Sequence, residues 1–144
     1  MPELSTEENE RIVARVYEAA MAELHAGRPV SAAQRLVHDV EHMMQEANSG
    51  ASFEQYFRWA SLEEIAAIRG HLQTLKLDDL SDLMSQAIAI AFPNGLPATD
   101  DEKSNATEWT PEQEEALGDL FPQLEEENGR VTNALGAYAK HSGA

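Results

Sequence analysis

Hydroxyl residues placed three positions ahead of a Glu or Gln recur along this chain, each followed by apolar residues spaced three and four apart. Examples are Ser5-Thr6-Glu7-Glu8, Ser31-Ala32-Ala33-Gln34, Ser61-Leu62-Glu63-Glu64 and Thr110-Pro111-Glu112-Gln113. In such a box the hydroxyl accepts from the amide at the third helical position, and the Glu or Gln reaches back to the amide of the cap. Two donors that a helix start leaves open are thereby satisfied. A chain punctuated in this way is committed to helices before any packing is considered.

The apolar stripes agree. The first predicted helix turns Ile12, Val13, Val16, Ala20 and Leu24 inward and ends near Gly27-Arg28-Pro29. The second carries Ala33, Leu36, Val37, Val40, Met43, Met44 and Ala47, with Asn48-Ser49-Gly50 as its stop. Ser52 is expected to cap a short helix with Phe53, Tyr56 and Phe57 inward, and Ser61 one with Leu62, Ile65, Ile68, Leu72 and Leu75 inward. Asp78 or Asp79 then caps a helix bearing Leu80, Leu83, Met84, Ala87, Ile88 and Ala91, which Pro93-Asn94-Gly95 ends. Residues 93–109 read as a long acidic loop. Thr110 and Pro111 start the next helix, with Leu117, Leu120, Phe121 and Leu124 inward and Pro122 kinking or dividing it. A last helix holds Val131, Ala134, Leu135 and Tyr138. No segment alternates with period two, so the fold class is all-α: a single compact domain of about six or seven amphipathic helices.

Charge is the second constraint. The 144 residues carry a formal net charge of −16, and residues 100–127 set eleven carboxylates against one cation, Lys103. Such a surface repels DNA, RNA and anionic lipid. At about 100° per residue, Glu112, Glu115, Asp119 and Glu126 fall together opposite the Leu117/Leu120/Leu124 face, provided Pro122 only kinks the helix. A solvated helix face would mix signs, and between Glu108 and Glu127 there is no cation at all. Carboxylates repeating along a helix approximate a row of phosphates. The central stripe is read as Glu108, Glu112, Glu115, Asp119 and Glu126. Asp100, Asp101 and Glu102 form one flank, and Asp78, Asp79 and Asp82 the other.

Other patterns give less. The absence of cysteine excludes disulfides, thiol catalysis and thiolate metal sites. The acidic start lacks the basic and apolar regions of a secretory signal, and the Ala87–Phe92 run is too short for a bilayer, so a cytoplasmic protein is expected. Asn105-Ala106-Thr107 is then a sequon without consequence. His38-Asp39-Val40-Glu41-His42 fits the inverted zinc-peptidase pattern. With Val40 mid-stripe, however, His38 and His42 are expected toward solvent, and no third ligand is evident. Phe53, Tyr56, Phe57 and nearby Trp59 could form a base-stacking platform, but they lack flanking Lys or Arg and read as core. Asp78, Asp79 and Asp82 lack the glycine and terminal Glu of a calcium loop. No metal and no cofactor are expected.

The segment Asn48-Ser49-Gly50-Ala51-Ser52-Phe53-Glu54-Gln55-Tyr56-Phe57 resembles the Asn-Gly-Gly-Phe-x-Gln-Phe-Phe segment of the bacterial nineteen-kilodalton DNA-mimic protein family. The Ile65/Ile68 helix, the Ala87–Phe92 helix end, Leu120-Phe121 in an acidic helix and the closing Leu135/Tyr138 helix extend the likeness over about residues 35 to 140. Ser49 replaces the first glycine, and Ala51-Ser52 lengthens the turn before Phe53. The resemblance implies an all-helical protein whose acidic surface imitates duplex DNA and occupies the DNA-binding face of a transcriptional regulator or histone-like protein. The expected partner is a basic DNA-binding protein, with no direct nucleic acid and no membrane, and a homodimer is compatible with the reading. Two alternatives stand beside it. One is an inhibitor or immunity-type protein that binds a specific basic partner without mimicry. The other is a metal-dependent hydrolase built on His38, Glu41 and His42.

Overall fold

The computed structural model describes residues 6–144, so the Ser5 half of the first capping box lies outside the described residues. Among the described residues there are nine helices and no strand. They are α1 (Thr6–His25), α2 (Ala32–Gly50), α3 (Glu54–Trp59), α4 (Leu62–Thr74), α5 (Asp78–Ala91), α6 (Asp100–Ala106), α7 (Pro111–Asp119), α8 (Phe121–Glu126) and α9 (Asn128–Ser142). The all-α expectation holds. No helix among them is long and apolar enough to cross a membrane.

The caps form as the residues dictate. Gln34 and Gln113 each donate a backbone amide to the hydroxyl of Ser31 or Thr110 and accept that residue's own amide in return. At Ser61 only the first bond forms, because the Glu64 carboxylate is drawn instead to His42 Nδ1 at 2.7 Å. Asp78 and Asp79 lie in the first turn of α5 and do not cap it; its N-cap is Leu77, which has no side-chain oxygen to offer.

The ends of α1, α2 and α4 are set by left-handed residues. Gly27 (φ 73°) lets the Arg28 amide reach the Glu23 carbonyl at 2.9 Å and its own amide reach Leu24, closing α1. The same pair of bonds ends α2 through Ala51 (φ 51°) and α4 through Lys76 (φ 60°), where a Cβ must be tolerated. The stop predicted at Asn48-Ser49-Gly50 falls within two residues of the observed end: α2 runs through Gly50, and Ala51 reverses it.

The chain divides into two units, Met1–Glu41 with Glu127–Ala144, and His42–Glu126. In the first, α1 packs along α9. Val13, Val16 and Ala20 meet a buried face of Val131, Leu135 and Ala139. Asn9 is also buried and donates to Asn133 Oδ1 at 3.0 Å. Gly136 permits this approach, since a Cβ there would stand 2.1 Å from Asn9 Oδ1.

In the second unit α5 packs on α4, α7 and α8, and α3 on α7. Phe53, Tyr56 and Phe57 are fully buried among Ile65, Ile68, Leu72, Met84, Leu117 and Leu124, so the aromatic trio is core as expected. Phe57 stacks edge-on against Phe92 with centroids 5.5 Å apart.

Two differences from the sequence reading bear on the acidic region. The segment 93–109 is not all loop: it contains α6, capped by Thr99, whose Oγ1 accepts from Glu102 N while the Glu102 carboxylate accepts from Ala98 N. Thr99-Asp100-Asp101-Glu102 is the same capping signal as elsewhere, masked by the surrounding prolines and charges. Secondly, of the kink or division expected at Pro122 it is division that occurs, α7 ending at Asp119 and α8 beginning at Phe121, so the kink on which Glu126's register depended is absent. A proline lacks the amide that would continue the ladder and crowds the preceding turn.

Candidate functional site: an uncompensated acidic face

α7 is held at both ends of its first turn. Thr110 caps it, and the Gln113 side chain that completes the box also donates to the carbonyl of Ile90 at 2.9 Å, fixing the start of α7 against the end of α5. Leu117 is its fully buried residue. Glu112, Glu115 and Asp119, at positions i, i+3 and i+7, share one exposed face of this single helix. Glu108 is exposed in the turn before it.

Glu126 corrects the predicted register. It is exposed, but it belongs to α8, and the break at Leu120 prevents helical spacing from carrying Glu112's face onward to it. Asp100, Asp101 and Glu102 are exposed on the first turn of α6, so that flank is ordered helix. Asp78, Asp79 and Asp82 are exposed as well, but at the opposite end of α5 from the Ile90 anchor. The twelve helical steps from Asp78 to Ile90 span about 18 Å. They form a separate acidic turn.

Among the described residues none of these candidate carboxylates is in a salt bridge; the neighbouring Glu127 pairs with Arg130 at 3.2 Å. Cations are few here, and two of them are engaged elsewhere. Residues 42–126 contain four Lys or Arg against seventeen Asp or Glu. Of these four, Arg58 lies over the Trp109 ring, 4.9 Å from its centroid. Lys103 is buried and donates to the carbonyls of Arg58 and Ala60 at 2.8 and 2.7 Å. Burial pushes the Lys103 ammonium below the ordinary lysine range, and Asp100 and Glu64 partly oppose that shift. The cation of the most acidic stretch is thus spent on backbone carbonyls at the end of α3.

The helix dipole separates these acids into two kinds. Those in first turns (Asp78, Asp79, Asp100, Asp101, Glu102, Glu112) sit where a carboxylate stabilises a helix. Asp119 and Glu126 are the last residues of α7 and α8, whose final turns hold no basic residue. A carboxylate there opposes the dipole of its own helix, but each also lies two residues before the first residue of the next helix, α8 or α9, whose dipole favours it.

The histidine pattern is not the solvent-facing pair expected from the sequence. His38 is buried, stacked on Tyr17 with centroids 5.4 Å apart, and its Nδ1 lies 2.9 Å from Asp39 Oδ1. Residues 36–40 of α2 are buried without a break, so no face is left for solvent. His42 is half-buried between Glu64, 2.7 Å from Nδ1, and Glu46, 3.5 Å from Nε2. Both rings lie against carboxylates.

With nine helices and no strand among its described residues and a formal net charge of −16, the chain is of the strongly acidic all-helical class. It belongs to the DMP19-like protein family, whose profile matches residues 28–142. The resemblance read from Asn48–Phe57 is thereby upheld. No curated protein and no solved structure gives a significant match.

Proposed function

We propose that this protein is a non-catalytic DNA mimic that binds the DNA-contacting face of a basic DNA-binding protein, a transcriptional regulator or a histone-like protein, and displaces it from DNA. The observation that carries this reading is the placement of Asp119 and Glu126. They are exposed carboxylates that form no salt bridge among the described residues, at helix ends whose last turns hold no basic residue. Glu112 and Glu115 add charge on a capped and anchored helix, and Glu108 adds charge just before it. Successive acids at i, i+3 and i+7 rise by about 4.5 and 6 Å. Phosphates along one DNA strand rise by about 3.4 Å. The two patterns are similar enough for the Lys and Arg of a DNA-binding face to find partners on either. Family membership supports the same reading.

Charge pairing of this kind gives fast association that weakens steeply with salt. The test is competition: a basic bacterial histone-like protein is bound to labelled duplex DNA, and this protein is titrated in at rising ionic strength. Release of the DNA, lost progressively with added salt, is the expected result. Absence of displacement for every regulator and histone-like protein tried removes the reading.

A further inference from the structure

We infer that Trp59 is the aromatic anchor of the acidic face and receives an arginine side chain of the basic partner against its indole. This role presupposes the polyanionic binding face proposed above and adds to it a contact that charge alone does not provide.

Trp59 is 72% exposed, the one large hydrophobic side chain so exposed among the described residues. Its backbone is nevertheless fixed. It is the last residue of α3, and the carbonyls on either side of it, those of Arg58 and Ala60, both accept from Lys103 Nζ. Phe57 and Ala60 beside it are fully buried. Arg58 is held over Trp109, whose Nε1 donates to the Ala91 carbonyl at 3.1 Å. The indole therefore stands in water from a clamped backbone, and little ordering entropy remains to be lost when a partner covers it.

The surroundings select the occupant. Lys103 ties Trp59 to α6, whose exposed first turn is Asp100, Asp101 and Glu102, and Asp100 and Glu64 are near enough to act on the Lys103 ammonium. Lipid headgroups and nucleic acid, being anionic, would be repelled by a chain at −16. A guanidinium suits the site: it is weakly hydrated, stacks on an indole face and pairs with carboxylates at the same time. Duplex DNA cannot offer this contact, because its base faces are hidden in the stack. A mimic that shares the phosphates' charge and adds an open ring has an advantage over the DNA it displaces.

The probes are deca-arginine and deca-lysine peptides, titrated into the full chain while tryptophan emission and binding are followed. Deca-arginine should bind more tightly than deca-lysine, alter the exposed-tryptophan emission and protect it from acrylamide. Trp59→Ala should weaken deca-arginine binding by about two- to thirty-fold, erase the arginine preference and leave the salt slope unchanged. Trp59→Gln, with far-UV circular dichroism on both variants, guards against a folding effect. If deca-arginine binds in a salt-dependent way but both variants match the parent, the anchor is wrong and the polyanionic face stands. If neither peptide binds the parent chain, the face itself fails, and the anchor with it. If protein concentration alone shields Trp59, a second copy covers it and the assignment to a basic partner is overturned.

Discussion

Lys103 Nζ donates to the Ala60 carbonyl at 2.7 Å, so the cation of the chain's most acidic stretch points inward, away from the carboxylates around it. The ammonium closes the last turn of α3, where carbonyls lack helical partners. One residue thus both finishes a helix and leaves a surface unneutralised.

Lys103→Met should lower stability at neutral pH by about 1–3 kcal/mol, because two carbonyls lose a charged donor. The pH dependence follows from the lowered pKa. At neutral pH both folded and unfolded chains carry the proton and the burial cost is fully present. As pH rises toward the ordinary lysine value of 10.5, the folded state releases its proton first and the cost is relieved. The stability of the parent relative to Lys103→Met should therefore increase through that alkaline window, as read from urea midpoints at successive pH values. A difference that shrinks there would contradict the burial.

Asp119→Asn and Glu126→Gln should each change stability by no more than about 0.5 kcal/mol, because each charge is exposed and lies between the end of one helix and the start of the next. The same changes should weaken displacement of DNA from a basic competitor. Thermal melts beside the competition assay read both. Unchanged stability with full retention of displacement would show that these two acids are not part of the face.

Gly136→Ala should destabilise by about 1–3 kcal/mol through overpacking. The added Cβ falls 2.1 Å from Asn9 Oδ1 and 2.7 Å from Asn9 Cβ, so rotation of the amide does not clear it. Combining it with Asn9→Gly should recover part of the loss, giving a non-additive double-mutant cycle in denaturant.

Ala51→Gly and Lys76→Gly should each stabilise by about 0.5–1 kcal/mol, because both residues hold left-handed conformations that a Cβ disfavours. Calorimetric midpoints should rise for both. A fall in either would mean that its side chain makes up for the strain.

The helices, most of their starts and the core stripes were legible because caps and apolar spacing are local signals. Ser31, Ser61 and Thr110 need only the next three residues to act, and Phe53, Tyr56 and Phe57 follow a spacing that a single helix imposes. Thr99-Asp100-Asp101-Glu102 was equally local but lay hidden in a stretch whose prolines and acids suggested a loop.

What the sequence alone determined was the class of structure and the sign of its surface, since hydrogen-bonded caps, apolar periodicity and net charge are properties of neighbouring residues. Which way the rare cations turned was decided only by the tertiary structure. Lys103 lies more than forty residues from the carbonyls it serves, Arg58 reaches a ring from a distant turn, and His38 is buried because α2 is enclosed on every side from residue 36 to residue 40. Pairings of that length depend on packing, which no local pattern encodes.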